Sequence, residues 1–200
     1  MIRILGKIPR EITVAFSGGV DSAVLLDFLH YNHTVTAAFF HHGTAASDLA
    51  QPFVEEFCRQ RSIPLEIGVI NNLHRKKEFS PEEHWRQERY AFLDGFPCVA
   101  TAHHLDDVAE TWIWSSLHGC SKLIPYHRGN VIRPLLLNRK AVLQDWARRK
   151  CVSYCNDPSN NDTVYTRNYI RAELMQHALV VNPGLHSMLQ KKLEERGVYK

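Results

Sequence analysis

The chain has 200 residues, 44% of them hydrophobic and 22% charged, with a formal net charge of +3; this is ordinary globular usage, enough for one compact domain or a domain with a small appendage. No apolar run approaches the roughly 18 residues of a membrane span, and Met1 to Lys7 carries neither the apolar core nor the cleavage site of a secretion signal, so a cytoplasmic protein with no membrane partner is expected. Five scattered cysteines argue against a disulfide framework, the spacing of Cys151 and Cys155 is not the C-x-x-C of redox and zinc sites, and the twelve histidines form no H-E-x-x-H pattern.

In chain order, Glu11–Phe16, Val35–Phe40, Leu65–Ile70 and Val99–Ala102 are short runs rich in Val, Ile, Phe and Ala, the composition of buried parallel strands. Val131–Leu135 is a candidate fifth. Between them lie helical patterns over Ser22–His30, Ser47–Arg61 with Asp48 at its start, Pro81–Leu93 after a capping Ser80, and Leu105–Leu117. This alternation predicts an α/β fold with a doubly wound parallel sheet. After Pro134 the pattern turns helical, over Arg139–Lys150, Arg167–His177 and Pro183–Arg196, with a polar loop at Asn156–Asp162. The expected division is an ATP-binding α/β domain over 1–135 and a small helical C-terminal extension over 136–200.

The first strand runs straight into Ser17-Gly18-Gly19-Val20-Asp21-Ser22 and then an apolar helix. Backbone N–H groups and the positive end of a helix dipole meet there, a geometry that holds phosphate. A P-loop would follow its glycines with Lys-Ser/Thr; Asp21-Ser22 stands in that place. A loop gripping the pyrophosphate end of ATP during adenylation fits, although two glycines also suit any tight turn.

Ligands of doubly wound sheets bind beyond the carboxyl ends of the strands, so His41-His42-Gly43 and His103-His104-Leu105-Asp106-Asp107 should border the same crevice as the loop. Asp107 and Glu110 share a helix face. Such carboxylates can hold Mg²⁺ on ATP phosphates, bind an incoming amine and accept its proton, or merely complement the helix dipole. His103 or His104 could bind phosphate or donate to a base. Residues 133–200 carry 12 Lys and Arg against 6 Asp and Glu, and the rest 12 against 15. The positive excess at the C-terminal end favours a polyanion there, with solvated helix faces as the plain alternative.

The SGGVDS loop resembles the PP-loop ATP pyrophosphatases, and the string Ala102-His103-His104-Leu105-Asp106-Asp107-Val108-Ala109-Glu110-Thr111 resembles the second signature of the tRNA(Ile)-lysidine synthase family. Four further stretches are similar to that family in the same order: Phe40-His41-His42-Gly43 with Ser47-Asp48, Glu83 to Tyr90, Ile132-Arg133-Pro134-Leu135-Leu136, and Asp157-Pro158-Ser159-Asn160 with Tyr165 to Arg171. His41 stands where Asp or Asn is expected, and Trp85 where a small residue is expected.

The resemblance implies a ligase that uses ATP and Mg²⁺ to adenylate O2 of the wobble cytidine in a CAU-anticodon isoleucine tRNA, after which L-lysine displaces AMP. Implied ATP contacts are Ser17, Gly18, Gly19, Val20, Asp21, Ser22, Arg86 and His103. Catalytic candidates are Asp21, Asp107, Glu110 and His103, with Asp21, Asp107 and Glu110 also binding lysine. Arg133, Asn160, Arg167, Asn168 and Arg171 are the implied tRNA contacts, their guanidinium forks and amides suiting phosphate and base edges. Family members continue into further C-terminal domains, so a short form stopping at Lys200 would rely on a partner, a homodimer or a looser choice of tRNA. A tRNA sulfur transferase of the same superfamily, an amidating ligase for small molecules and a non-catalytic RNA-binding relic are the competing readings.

Overall fold

A computed structural model describes residues 1–71, 81–155 and 166–196, with the backbone alone at 81, 82, 166 and 167. Its six-stranded sheet has the order β3-β2-β1-β4-β6-β5, built from β1 (Glu11–Ala15), β2 (Thr34–His41), β3 (Leu65–Val69), β4 (Val99–Ala100), β5 (His127–Arg128) and β6 (Val131–Ile132). Every pairing is parallel except β5 with β6. The chain moves outward from β1 to β3, then crosses back to β4 on the other side of β1. That reversal is the switch point where doubly wound sheets bind ligands.

The helices are α1 (Val20–His30), α2 (Ala45–Gln60), α3 (Pro81–Leu93), α4 (Leu105–Leu117) and α5 (Lys140–Lys150), followed by α6 (Thr166–Tyr169), a π-helical turn (Ile170–Leu174), α7 (Met175–Val181) and α8 (Leu185–Glu195). Two boundaries differ informatively from the sequence pattern. Helix α1 begins two residues earlier, because Gly19 serves as N-cap. Helix α2 begins at Ala45, because Thr44 rather than Asp48 caps it, its hydroxyl oxygen accepting the Ser47 N–H at 3.3 Å. Strand β5 and its hairpin with the expected strand β6 have no counterpart in the sequence pattern, because a two-residue strand carries too few side chains for a period-2 signal. Strand β6 also stops short of the expected Leu135, ahead of Pro134, which cannot donate to a ladder.

Alternating side chains of the central strands serve two faces. Val14 packs with Leu25, Leu26, Phe57 and Leu143 in the main core beneath α1, α2 and α5, whereas Ala15 faces a smaller cluster of Ala38, Leu93, Val99 and Val131 under α3. A third cluster joins Leu105 and Val108 of α4 to Leu136, Leu185 and Leu189. The helical C-terminal part is thus packed through apolar contacts on α1 and α4. Gly68 marks the tightest seat of α3, since a Cβ there would stand 2.6 Å from the Phe92 ring and 2.9 Å from that of Phe40. Among the described residues no helix is long and apolar enough to cross a membrane.

Candidate active site at the β1–β4 switch point

The loop after β1 is closed by its own serines. Ser22 Oγ accepts the Ser17 N–H at 3.2 Å and donates to the Gly19 carbonyl at 2.9 Å, so the Ser17 hydroxyl, 3.1 Å away, donates to Ser22. Gly18 has φ +84°, a conformation that side chains resist, and its carbonyl accepts the Cys155 N–H at 2.8 Å. No side chain caps the N-terminus of α1. Its first-turn N–H groups are therefore donors for an anion, with Val20 and Asp21 on the first turn itself.

Strand β4 pairs directly with β1, so the 103–110 segment opens beside this loop. Its centre is His104, only 1% exposed. Nε2 lies 3.6 Å from Asp21 Oδ2 and 3.7 Å from Asp107 Oδ2, and Nδ1 lies 3.5 Å from Asp106 Oδ2. These are charge contacts longer than hydrogen bonds. Burial opposes the imidazolium, but Asp21, then Asp107 and Asp106, outweigh it and hold the pKa of His104 above the ordinary value. Sequence reasoning placed His103 ahead of it; His103 Nδ1 instead bonds the Thr101 hydroxyl at 2.9 Å.

Each acid of this segment has its own answer. Asp107 accepts the His104 N–H at 2.9 Å. Asp106 accepts the Lys140 backbone N–H at 2.7 Å and sits 3.2 Å from His186 Nε2 of α8. Burial would raise its pKa, but His186, the Lys140 N–H and the charge of His104 bring it down to about 2. Asp21 Oδ2 is 3.6 Å from Lys140 Nζ, while its Oδ1 is buried with no hydrogen-bond partner among the described residues. Glu110, 2% exposed, is gripped by Arg171, whose Nε and Nη2 donate at 2.7 and 3.2 Å; Nη2 also approaches Asp107 at 3.5 Å. The π-helical turn carries Arg171 onto α4, where such irregularities often serve function.

Several expected RNA contacts are placed otherwise. Arg171 pairs with Glu110 and Asp107, with its side chain 33% exposed. Arg133 is only 4% exposed, and its Nη1 donates to the Pro125 carbonyl at 3.0 Å; the alternation along β6 turns its guanidinium under α3. Arg86, expected at ATP, lies on α3 over the Tyr90 ring, at 5.4 Å, lining a cavity that includes no residue of the loop. Asn168 is partly buried on α6. Asn160, and the side chain of Arg167, lie outside the described residues. At the end of β2, His41 Nδ1 accepts the Gly43 N–H, so its Nε2–H donates to Asp48 at 3.0 Å. His42 beside it is pushed down to about 4 by burial, Arg89 and His41.

Lys140 and His186 escaped sequence reasoning. A lysine at a helix start, 119 positions after Asp21, offers no local signal. Among the described residues no group of three or more His, Cys, Asp or Glu is arranged to hold a metal. The unpartnered Asp21 Oδ1 is the oxygen whose setting fits an ion carried in with ATP phosphates, since Mg²⁺ takes few protein carboxylates and keeps waters and phosphates.

Residues 4–178 match the family described as the PP-loop domain. The chain is similar to tRNA(Ile)-lysidine synthases: 34% identical to that of a Thermotoga species over 91% of this chain and 48% of the relative, 33% to that of Persephonella marina over 90% and 44%, and 35% to that of Polaromonas naphthalenivorans over 87% and 58%. It spans about half the length of these curated relatives. The ammonia-dependent NAD synthetase of Campylobacter jejuni shares the fold, with a TM-score of 0.53 and 12% identity over 95% of this chain and 86% of that one. By its loop, its sheet and this match, the chain belongs to the PP-loop domain family.

Proposed function

We propose that the chain converts the wobble cytidine of a CAU-anticodon isoleucine tRNA to lysidine. Cytosine O2 attacks the α-phosphate of ATP and pyrophosphate leaves; the amine of L-lysine then attacks carbon 2, AMP leaves, and a carboxylate takes the amine proton. The observation that carries this reading is the meeting of an uncapped helix N-terminus with Asp21, Asp107 and Glu110 at two neighbouring strand ends. The names of the curated relatives support the substrate.

In this scheme Ser17 to Ser22 hold the pyrophosphate, and Lys140 shares its charge. Asp21 would hold Mg²⁺, which supplies charge neutralisation on the phosphates. Glu110, held by Arg171, would fix the lysine pocket beside Asp107, and Asp21 or Asp107 would meet the lysine amine and accept its proton. His103 would contact the nucleotide or the base. The wobble base leaves its stack at small cost, because anticodon bases are exposed.

The test is mass spectrometry of nucleosides from isoleucine tRNA and methionine tRNA after incubation with the protein, ATP, Mg²⁺ and L-lysine. Lysine condensed onto cytidine is expected in the isoleucine tRNA, and absent after Asp21→Asn by at least about 100-fold in rate, the scale of lost electrostatic stabilisation. Release of pyrophosphate with no lysine adduct would overturn the choice of nucleophile.

Cys155 favours a second reading, sulfur transfer to the activated base, because its N–H bonds Gly18 and its Cβ lies 3.7 Å from where a Gly18 Cβ would stand. The same spectra, with a persulfide donor added, read it as sulfur in place of oxygen, lost in Cys155→Ser.

A further inference from the structure

A cavity of about 280 Å³ runs between α3 and the β5–β6 hairpin, on the sheet face opposite α1. Arg86 and Arg128 line it with Tyr90, and so do the acids Glu83 and Asp94. Among the described residues neither arginine has an ion-pair partner, and neither appears with a bond to a carboxylate. Behind the wall, buried Arg133 faces Tyr90, and its Nε is buried without a hydrogen-bond partner among the described residues. Arg86 and Arg89 both flank the Tyr90 ring, at 5.4 and 5.5 Å.

The walls are fixed. Asn130 donates to the Leu93 and Phe96 carbonyls at 2.8 and 2.7 Å, which pins the hairpin to the end of α3. Three guanidinium groups, those of Arg86, Arg89 and Arg133, thus gather around one phenol. Although burial would raise the pKa of Tyr90, Arg133, Arg89 and Arg86 bring it below its ordinary value, a sign of net positive potential at the phenol. Arg133 follows β6, which pairs in parallel with β4, whose own end opens the crevice, and Arg128 lies across from Val131 at the start of β6.

We propose that this cleft is a phosphate subsite in which Arg86 and Arg128 grip a backbone phosphate of the RNA whose base is modified at the β1–β4 crevice. The inference rests on the RNA-modifying reading above. Forked donors without carboxylate partners suit a phosphodiester, and phosphate contacts position a nucleic acid without reading its sequence. Arg133 is the positioning residue that holds Tyr90 and keeps the wall charged. A free nucleotide phosphate has the same chemistry, and the experiment separates the two.

Binding of fluorescently labelled isoleucine tRNA transcript is measured against salt for the wild type, Arg128→Ala and Arg128→Lys, and ATP binding by calorimetry on the same samples. Arg128 is exposed, so the variants are expected to fold, which melting curves check. Arg128→Ala should weaken RNA binding about 10-fold and lower the slope of log affinity on log salt by about one, with ATP affinity unchanged; Arg128→Lys should restore the slope. RNA binding unchanged in Arg128→Ala would overturn the subsite and leave the proposed function standing. A loss of ATP rather than RNA affinity would also overturn it, assigning the cleft to nucleotide. Wild-type protein that binds no RNA would overturn both.

Discussion

Around His104, Asp21, Asp106, Asp107 and Glu110 are met by basic side chains from distant parts of the chain, whereas around Tyr90 the guanidinium groups of Arg86, Arg89 and Arg133 converge on a phenol, with Arg128 lining the same cavity. The first arrangement is neutralised from within and welds α1, α4, α5, α8 and the π-helical turn together. The second is local to α3 and one hairpin, and in it Arg86 and Arg128 have no ion-pair partner among the described residues. Charge that the fold answers itself chiefly fixes geometry, while charge left over is available to a ligand.

If the two regions are independent, damage to one should spare the other. The largest effect is expected from Arg171→Ala, which leaves Glu110 buried without its bidentate partner; about 3 to 5 kcal/mol of stability should be lost, read by urea denaturation, with the Arg128 salt slope intact in the folded fraction. A cost below about 1 kcal/mol would show that the pair is solvated and the weld weak.

Gly68→Ala strikes the other region. A methyl group 2.6 Å from Phe92 must push α3 outward, at about 1 to 3 kcal/mol. It should loosen RNA binding more than ATP binding. Equal losses in both would mean that α3 and the crevice move as one body.

A smaller effect, in pH, sharpens the contrast within the crevice. His104 has a raised folded pKa, so its contribution is complete below about 6.5 and is lost as pH rises through the folded value. His42, depressed to about 4, contributes above about 6.5 and loses that contribution as pH falls toward 4. Melting temperature should therefore peak near neutrality, and His104→Gln should flatten the alkaline limb alone. An unchanged alkaline limb in that variant would assign the slope to other groups. Last, Thr44→Ala should cost about 1 kcal/mol through the lost cap of α2, without effect on either charged region.

The alternating strands and helices, the switch-point loop and the acidic segment are legible in the chain because they are written in contiguous residues: apolar runs of strand length, glycine where φ must be positive, and carboxylates at a helix start. The sequence could not show that Arg133 turns inward, since burial on β6 depends on α3 lying over that face, nor that Arg171 belongs to Glu110, since 61 positions separate them. It also missed Lys140 and His186, which reach Asp21 and Asp106 only once α5 and α8 have docked. The two-residue strands of the hairpin exist because β4 offers an edge, not because of their own composition. Local pattern thus set the elements and the chemistry on offer, and tertiary packing decided which charges cancel and which remain, because electrostatic partners are chosen by distance in space.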